Sequence, residues 1–173
     1  IIYDLARPQT LMQTLFVRNL STAIVAMITV GAPSLILIPL LYNLGSFSWN
    51  MLPFFVLSAA AGYVNAWLIA FAVGVSVFRL KDTNGILSAY NFLFPFFAGA
   101  IVPIDAFPRS VRTVFYLLPF RGTYDIPIRV SNAESIIESL KLIGIQGCWI
   151  AALLMLGIFV QKKGLGRLEV YGG

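Results

Sequence analysis

Asp105 and Asp125 are the carboxylates best placed for acid–base chemistry, in the stretches VPIDAFPR and TYDIPIR. Two carboxyl groups held at different pKa values can act as general acid and general base. Here each stands among prolines and arginines, which favours a simpler use, loop ion pairs with Arg109, Arg121 or Arg129. Other chemistries lack their residues. The chain has no His, and its one cysteine, Cys148, lies within an apolar stretch. That leaves no Cys/His metal cluster and no internal disulfide, so Cys148 reads as a small buried packing residue. A GxxxxGK[ST] phosphate loop and a GxSxG nucleophile elbow are both absent, and the glycines at 164 and 166 read as a flexible helix exit.

Amides and hydroxyls offer a second kind of chemistry. Ser58, Gly62, Asn65, Ile69, Ala72 and Ser76 recur at four- and three-residue steps and share one helix face. Asn84, Ser88, Asn91, Pro95 and Ala98 do the same further on; Thr22, Ala26, Thr29 and Pro33, and later Gly144, Cys148 and Ala151, offer smaller versions. Small residues let helices approach closely in lipid, and amides bond across the gap. These faces read first as the interior of a bundle. A second reading makes Ser58, Asn65, Ser88 and Asn91 the border of a substrate path.

The elements that carry them are four apolar stretches at 20–43, 51–78, 85–102 and 142–160, none with an Asp, Glu, Lys or Arg. Each is close to the ~20 residues a helix needs to cross ~30 Å of hydrocarbon. The 173 residues are 59% hydrophobic and 11% charged, far below the ~25% charge of a soluble domain. A helix apolar all round must be buried, and here the bilayer does the burying. With no Asp, Glu, Lys, Arg or His inside the spans, a proton pump or ion-coupled transporter is disfavoured. The net charge of +5 fits basic residues at helix ends against anionic headgroups rather than nucleic acid.

The expected fold is an all-α polytopic membrane protein, with about four transmembrane helices and a re-entrant or interfacial helix pair before the last span. It forms one membrane domain, 1–173. Residues 1–19 make a cytoplasmic, interfacial segment that runs into a first span kinked by Gly31, Pro33 and Pro39. Residues 103–141 are broken by prolines and charges yet apolar at 114–120, so they cannot span as a plain helix. Two short helices dipping in and turning near 119–124 are expected, with Ser131 or Asn132 capping the next helix and Glu134 in its first turn. Residues 161–173 form a cytoplasmic tail. Arg7, Arg18, Arg79, Lys81, Lys162, Lys163 and Arg167 sit close to span ends, while Arg109, Arg112, Arg121, Arg129 and Lys141 are diluted among acids. The first group marks the cytoplasmic side, and both termini with it, in a bacterial-type plasma membrane.

Laid out this way, the chain resembles the permease subunit of type-2 ATP-binding-cassette exporters. DLARPQ resembles their basic-proline segment before a span, and RLKDTNG their short cytoplasmic turn. VPIDAFPRSVRTVFYLLPFRGTYDIPI resembles their re-entrant pair with its LLPF turn, and QKKGLGRLEVYGG the basic Gly-Gly tail of one subfamily. Such permeases usually have six spans, so the equivalents of the first two are expected to be missing, through truncation or in a shorter variant. The resemblance implies a pair of permease subunits, identical or related, each seated on a separate cytoplasmic ATPase that holds the ATP and Mg; this chain then needs no cofactor. It also implies export along a path between the subunits. Asp4, Arg7 and Pro8, then Arg79, Lys81 and Asp82, are expected to couple to the ATPase. Pro119, Phe120, Arg121 and Tyr124 are expected to close the outer end of the path. Two other readings stay open: a membrane scaffold whose re-entrant segment docks a partner, and an intramembrane enzyme using Asp105 or Asp125.

Overall fold

The computed structural model describes residues 11–33, 37, 49–77 and 83–165, all-helical with no strand among the described residues. The chain divides into two compact units, Ile1–Phe47 and Ser48–Gly173.

In the first unit, helix α1 (Leu11–Ala26) runs without a break into a π-helical turn, Met27–Gly31. Over the described residues 11–33 the expected interfacial helix and the start of the first span are therefore one rod, with Met12–Gly31 long and apolar enough to cross a bilayer. The π turn has a cause in the sequence. Pro33 has no N–H, and its ring crowds the carbonyl four residues back. Widening the preceding turn relieves this, and the Ala32 N–H reaches the Met27 carbonyl. Hydroxyls on this rod fold back onto it, Thr29 Oγ1 donating to Val25 O at 2.8 Å. Pro39 lies outside the described residues.

The second unit contains α2 (Leu52–Val77), α3 (Thr83–Phe97), α4 (Arg109–Tyr116), α5 (Asp125–Ser131) and α6 (Ile136–Leu165). α2 follows a 3-10 turn at Trp49–Met51 and carries Pro53 in its first turn, where the missing N–H is harmless. α2 and the Ile136–Gln161 part of α6 are both long enough to span.

The third apolar stretch does not behave as expected. Instead of running to residue 102, α3 stops at Phe97 after 15 residues, or ~22 Å. Gly99 stops it. At φ 81° it takes the left-handed conformation that favours glycine. Its N–H bonds Phe96 O at 3.2 Å and the Ala100 N–H bonds Pro95 O at 2.9 Å, the paired closure of a Schellman cap. α3 is thus an apolar helix too short to cross alone.

α2 and α6 lie side by side and point the same way. Ser139 Oγ donates to Met51 Sδ at 3.7 Å and Ser58 Oγ to Gln146 Oε1 at 2.8 Å, and both pairs are 88 residues apart. On α6 the buried Ser139, Gln146 and Leu153 recur every seven residues, as do Met51 of the turn before α2 and Ser58 and Asn65 of α2. A seven-residue seam is the mark of left-handed knobs-into-holes packing. Consequently the Val77 end of α2 and the Leu165 end of α6 lie on one side of this unit.

Gly144, Cys148 and Ala151 prove to be on the outward face of α6, and all three are exposed. Small size alone did not mark the inner face. Its polar residues did, since they are the ones with partners. The cap of α6 also differs from expectation. Ser135 Oγ accepts the Glu138 N–H at 3.2 Å, while the Ser131 and Asn132 side chains turn back to Ile128 O at the end of α5. Glu134 precedes the helix.

The burial pattern is that of a protein in lipid. Ser58, Asn65, Ser139 and Gln146 are fully buried, whereas Phe92, Ile137, Met155 and Phe159 are exposed. In water this would be inverted; in hydrocarbon, polar groups gather inward around their partners.

Candidate functional site

Between α4 and α5 the chain makes a tight turn, the 3-10 segment Pro119–Gly122, and the expected re-entrant pair of short helices flanks it. Two side chains from the spanning helices grip this turn, and Ser58 braces one of them. Asn65 Nδ2 donates to Pro119 O at 2.6 Å. Gln146 Nε2 donates to Gly122 O at 2.7 Å and to Ser58 O at 3.0 Å, while Gln146 Oε1 accepts from Ser58 Oγ. The carbonyls of a non-helical turn, which lipid could not satisfy, thus find donors on α2 and α6.

Glycine makes the approach possible. A Cβ at Gly62 would lie 2.9 Å from Thr123 O, 3.0 Å from Gly122 O and 3.4 Å from Pro127 Cγ. A Cβ at Gly122 would strike the Asn65 amide. Asn65 stands about 13 residues into α2, so the turn sits ~20 Å along that helix from its first end.

The far side of the turn is charged. Asp125 lies 3.3 Å from Arg121 and 2.9 Å from Arg129, and Asp105 lies 2.6 Å from Arg129 and 3.7 Å from Arg112. The expected ion pairs form, with Arg112 in the place foreseen for Arg109. Tyr116 completes the network. Its hydroxyl donates to Asp105 Oδ1 at 2.8 Å and accepts from Arg129 Nη2 at 2.9 Å. Its ring carries the Arg121 guanidinium at 4.5 Å and that of Arg129 at 5.3 Å. The bonds from Arg129 and Tyr116 hold the Asp105 carboxyl below its ordinary range. Burial, then the bond to Asp105, pushes the Tyr116 phenol up. An Asp so held is an ionised acceptor at neutral pH, unsuited to act as a general acid. The cluster therefore welds α4, the turn and α5 into one body.

Aromatic rings close the third side. Phe120 meets Phe94 at 5.9 Å and Phe97 at 5.7 Å, and Phe115 stacks on Phe107 at 4.9 Å. These edge-on and offset contacts seat the end of α3 on the turn. Outside them Val114, Leu117 and Ile128 are exposed, as side chains facing lipid would be.

The sequence-derived candidates separate accordingly. Pro119, Phe120 and Arg121 belong to the turn; Arg121 is buried, and Tyr124 follows it with its side chain exposed. Ser58 and Asn65 are buried and bonded to Gln146 and the turn, whereas Ser88 and Asn91 are exposed on α3. Asp4, Arg7, Pro8, Arg79, Lys81 and Asp82 lie outside the described residues. Sequence reasoning passed over Gln146. It is the one amide in the apolar stretch 142–160, and that was the available signal.

A family model described as "ABC-2 family transporter protein" matches residues 3–172. No curated relative and no solved structure matches the chain.

Proposed function

Since the chain belongs to the ABC-2 transporter family, a family of membrane transport components, we propose that it is the permease subunit of an ATP-driven exporter. A separate ATP-binding-cassette ATPase supplies the hydrolysis and holds the ATP and Mg, and a second permease subunit, identical or related, completes the path. The observation that carries this reading is the family match over nearly the whole chain, joined to a polar-centred bundle into which a gripped turn descends.

Roles follow from position. The turn and its neighbours Pro119, Phe120, Arg121 and Tyr124 close the outer end of the path. Ser88 and Asn91, exposed on α3, face the path, while Ser58 and Asn65 hold the turn. Asp4, Arg7 and Pro8, with Arg79, Lys81 and Asp82, receive force from the ATPase. Both termini are cytoplasmic. The shared side of the Val77 and Leu165 ends supports this, because each end leads into a basic stretch of the sequence. The basic segment 161–173, with its Gly172 and Gly173, supports a place in the subfamily that shares it.

Co-purification tests the reading. Tagged chain extracted from its native membrane in mild detergent is expected to bring down a protein bearing GxxxxGK[ST], identified by mass spectrometry. A membrane scaffold would instead bring down partners without that loop, and that result would defeat the proposal.

A further inference from the structure

Resting on the reading of 119–124 as the outer gate, we propose that Gln146 is the positioning residue that carries movement of the paired helices α2 and α6 to the turn, with Asn65 and Ser58 as its partners. One amide joins three elements. From α6, Gln146 Nε2 reaches both the Ser58 carbonyl of α2, at 3.0 Å, and the Gly122 carbonyl of the turn, at 2.7 Å. Such bonds fail when stretched by about an ångström. A slide of α6 along α2 must therefore drag the turn or release it.

The contact has no slack to absorb such a slide. Gly62 already lies against the carbonyls of Gly122 and Thr123, and the Asn65 amide fills the space beside Gly122. Beyond the turn, the Arg121–Asp125 pair holds α5 to it, and Tyr116 at the end of α4 is held by the Arg121 guanidinium over its ring and by the bond from Arg129 of α5. A displacement delivered at Gly122 is passed to both short helices together. A second observation points to two arrangements. Asn65 Oδ1 and Thr123 Oγ1 are buried with no hydrogen-bond partner among the described residues. Buried polar atoms in this condition are uncommon, and they are groups that a shifted turn can satisfy. Packed interfaces of this kind move between discrete states rather than deforming smoothly.

The test uses the chain reconstituted in lipid vesicles with its ATPase, on a Cys148→Ala background with Tyr124→Cys as reporter. A membrane-impermeant maleimide is applied without nucleotide and after trapping with ATP and vanadate. The parent is expected to label at rates that differ severalfold between the two states. Gln146→Met, which keeps bulk and loses every bond, is expected to erase the difference. Ser139→Ala, on the same α2–α6 seam away from the turn, is expected to keep it. A Gln146→Met complex that retains the parental difference overturns the proposal and leaves the gate standing. Equal labelling of the parent in both states overturns the gate and the linkage together. Should Gln146→Met not assemble, Gln146→Asn keeps an amide on α6 but is one methylene too short to hold the Gly122 carbonyl. A reduced difference there supports the linkage and an unchanged one refutes it.

Discussion

Gly62 and Gly74 stand on the same helix, and alanine at the two positions should act in opposite directions. In an open helix, Gly→Ala is worth ~1 kcal/mol of added stability, from lower backbone entropy in the unfolded chain. Gly74 offers that case, since a Cβ there meets nothing within 4 Å. At Gly62 the same methyl would sit 2.9 Å from Thr123 O and 3.0 Å from Gly122 O. Both atoms are backbone, in a turn pinned by Asn65 and Gln146, so neither yields by rotating a side chain. Forced overpacking of this kind costs about 1–3 kcal/mol. Setting that against the propensity gain, Gly62→Ala should lose about 0–2 kcal/mol while Gly74→Ala gains ~1 kcal/mol. Gly62→Val should lose more. Reversible unfolding in mixed micelles, titrated with a denaturing detergent, measures each variant. If Gly62→Ala and Gly74→Ala shift the midpoint equally in the same direction, the turn does not lie against α2 and the described architecture is wrong.

Other perturbations separate the parts of the site. Asp125→Ala leaves Arg121, only 9% exposed, without its carboxylate; the loss should approach about 3–5 kcal/mol in the same assay. Asp105 is the more exposed partner at 58%, so Asp105→Ala should cost under about 1 kcal/mol. Asp105 also carries a pH dependence. Because the folded Asp105 carboxyl is held below its usual range by Arg129 and Tyr116, its contribution is complete above the ordinary Asp value of about 4 and fades as pH falls beneath it. Stability profiles of Asp105→Asn should lack that acid-side component. Gly99→Ala places a side chain at φ 81° and 3.1 Å from Ile104 Cγ1; a loss of about 1–2 kcal/mol or more is expected by thermal unfolding.

Legibility varied with how local the cause was. The second span, 51–78 by hydropathy, lies at Leu52–Val77, because an apolar run between the polar link 44–50 and the charge at Arg79 needs no partner to define it. The re-entrant pair was legible for the opposite reason: Pro108, Pro119 and Pro127 interrupt an apolar run with punctuation that a plain span cannot carry. The early stop of α3 was missed although Gly99 and Pro103 spell a helix end, since hydropathy continues past both. Likewise Ser135 and Glu138 form the spacing of a capping box, yet Ser131 and Asn132 look equally apt until Ile128 O claims them. The inner face of α6 could not be found by residue size. Gln146 becomes informative only once Ser58 and Gly122, 88 and 24 residues away, are beside it.

The central claim is that this chain transports only when an external ATPase drives it, and coupled ATP turnover tests that most directly. In vesicles holding the ATPase alone, with the chain, and with the Arg7→Glu chain, the account predicts that hydrolysis rises when the chain is added and that Arg7→Glu removes the rise. Turnover that is the same in all three vesicles would contradict it.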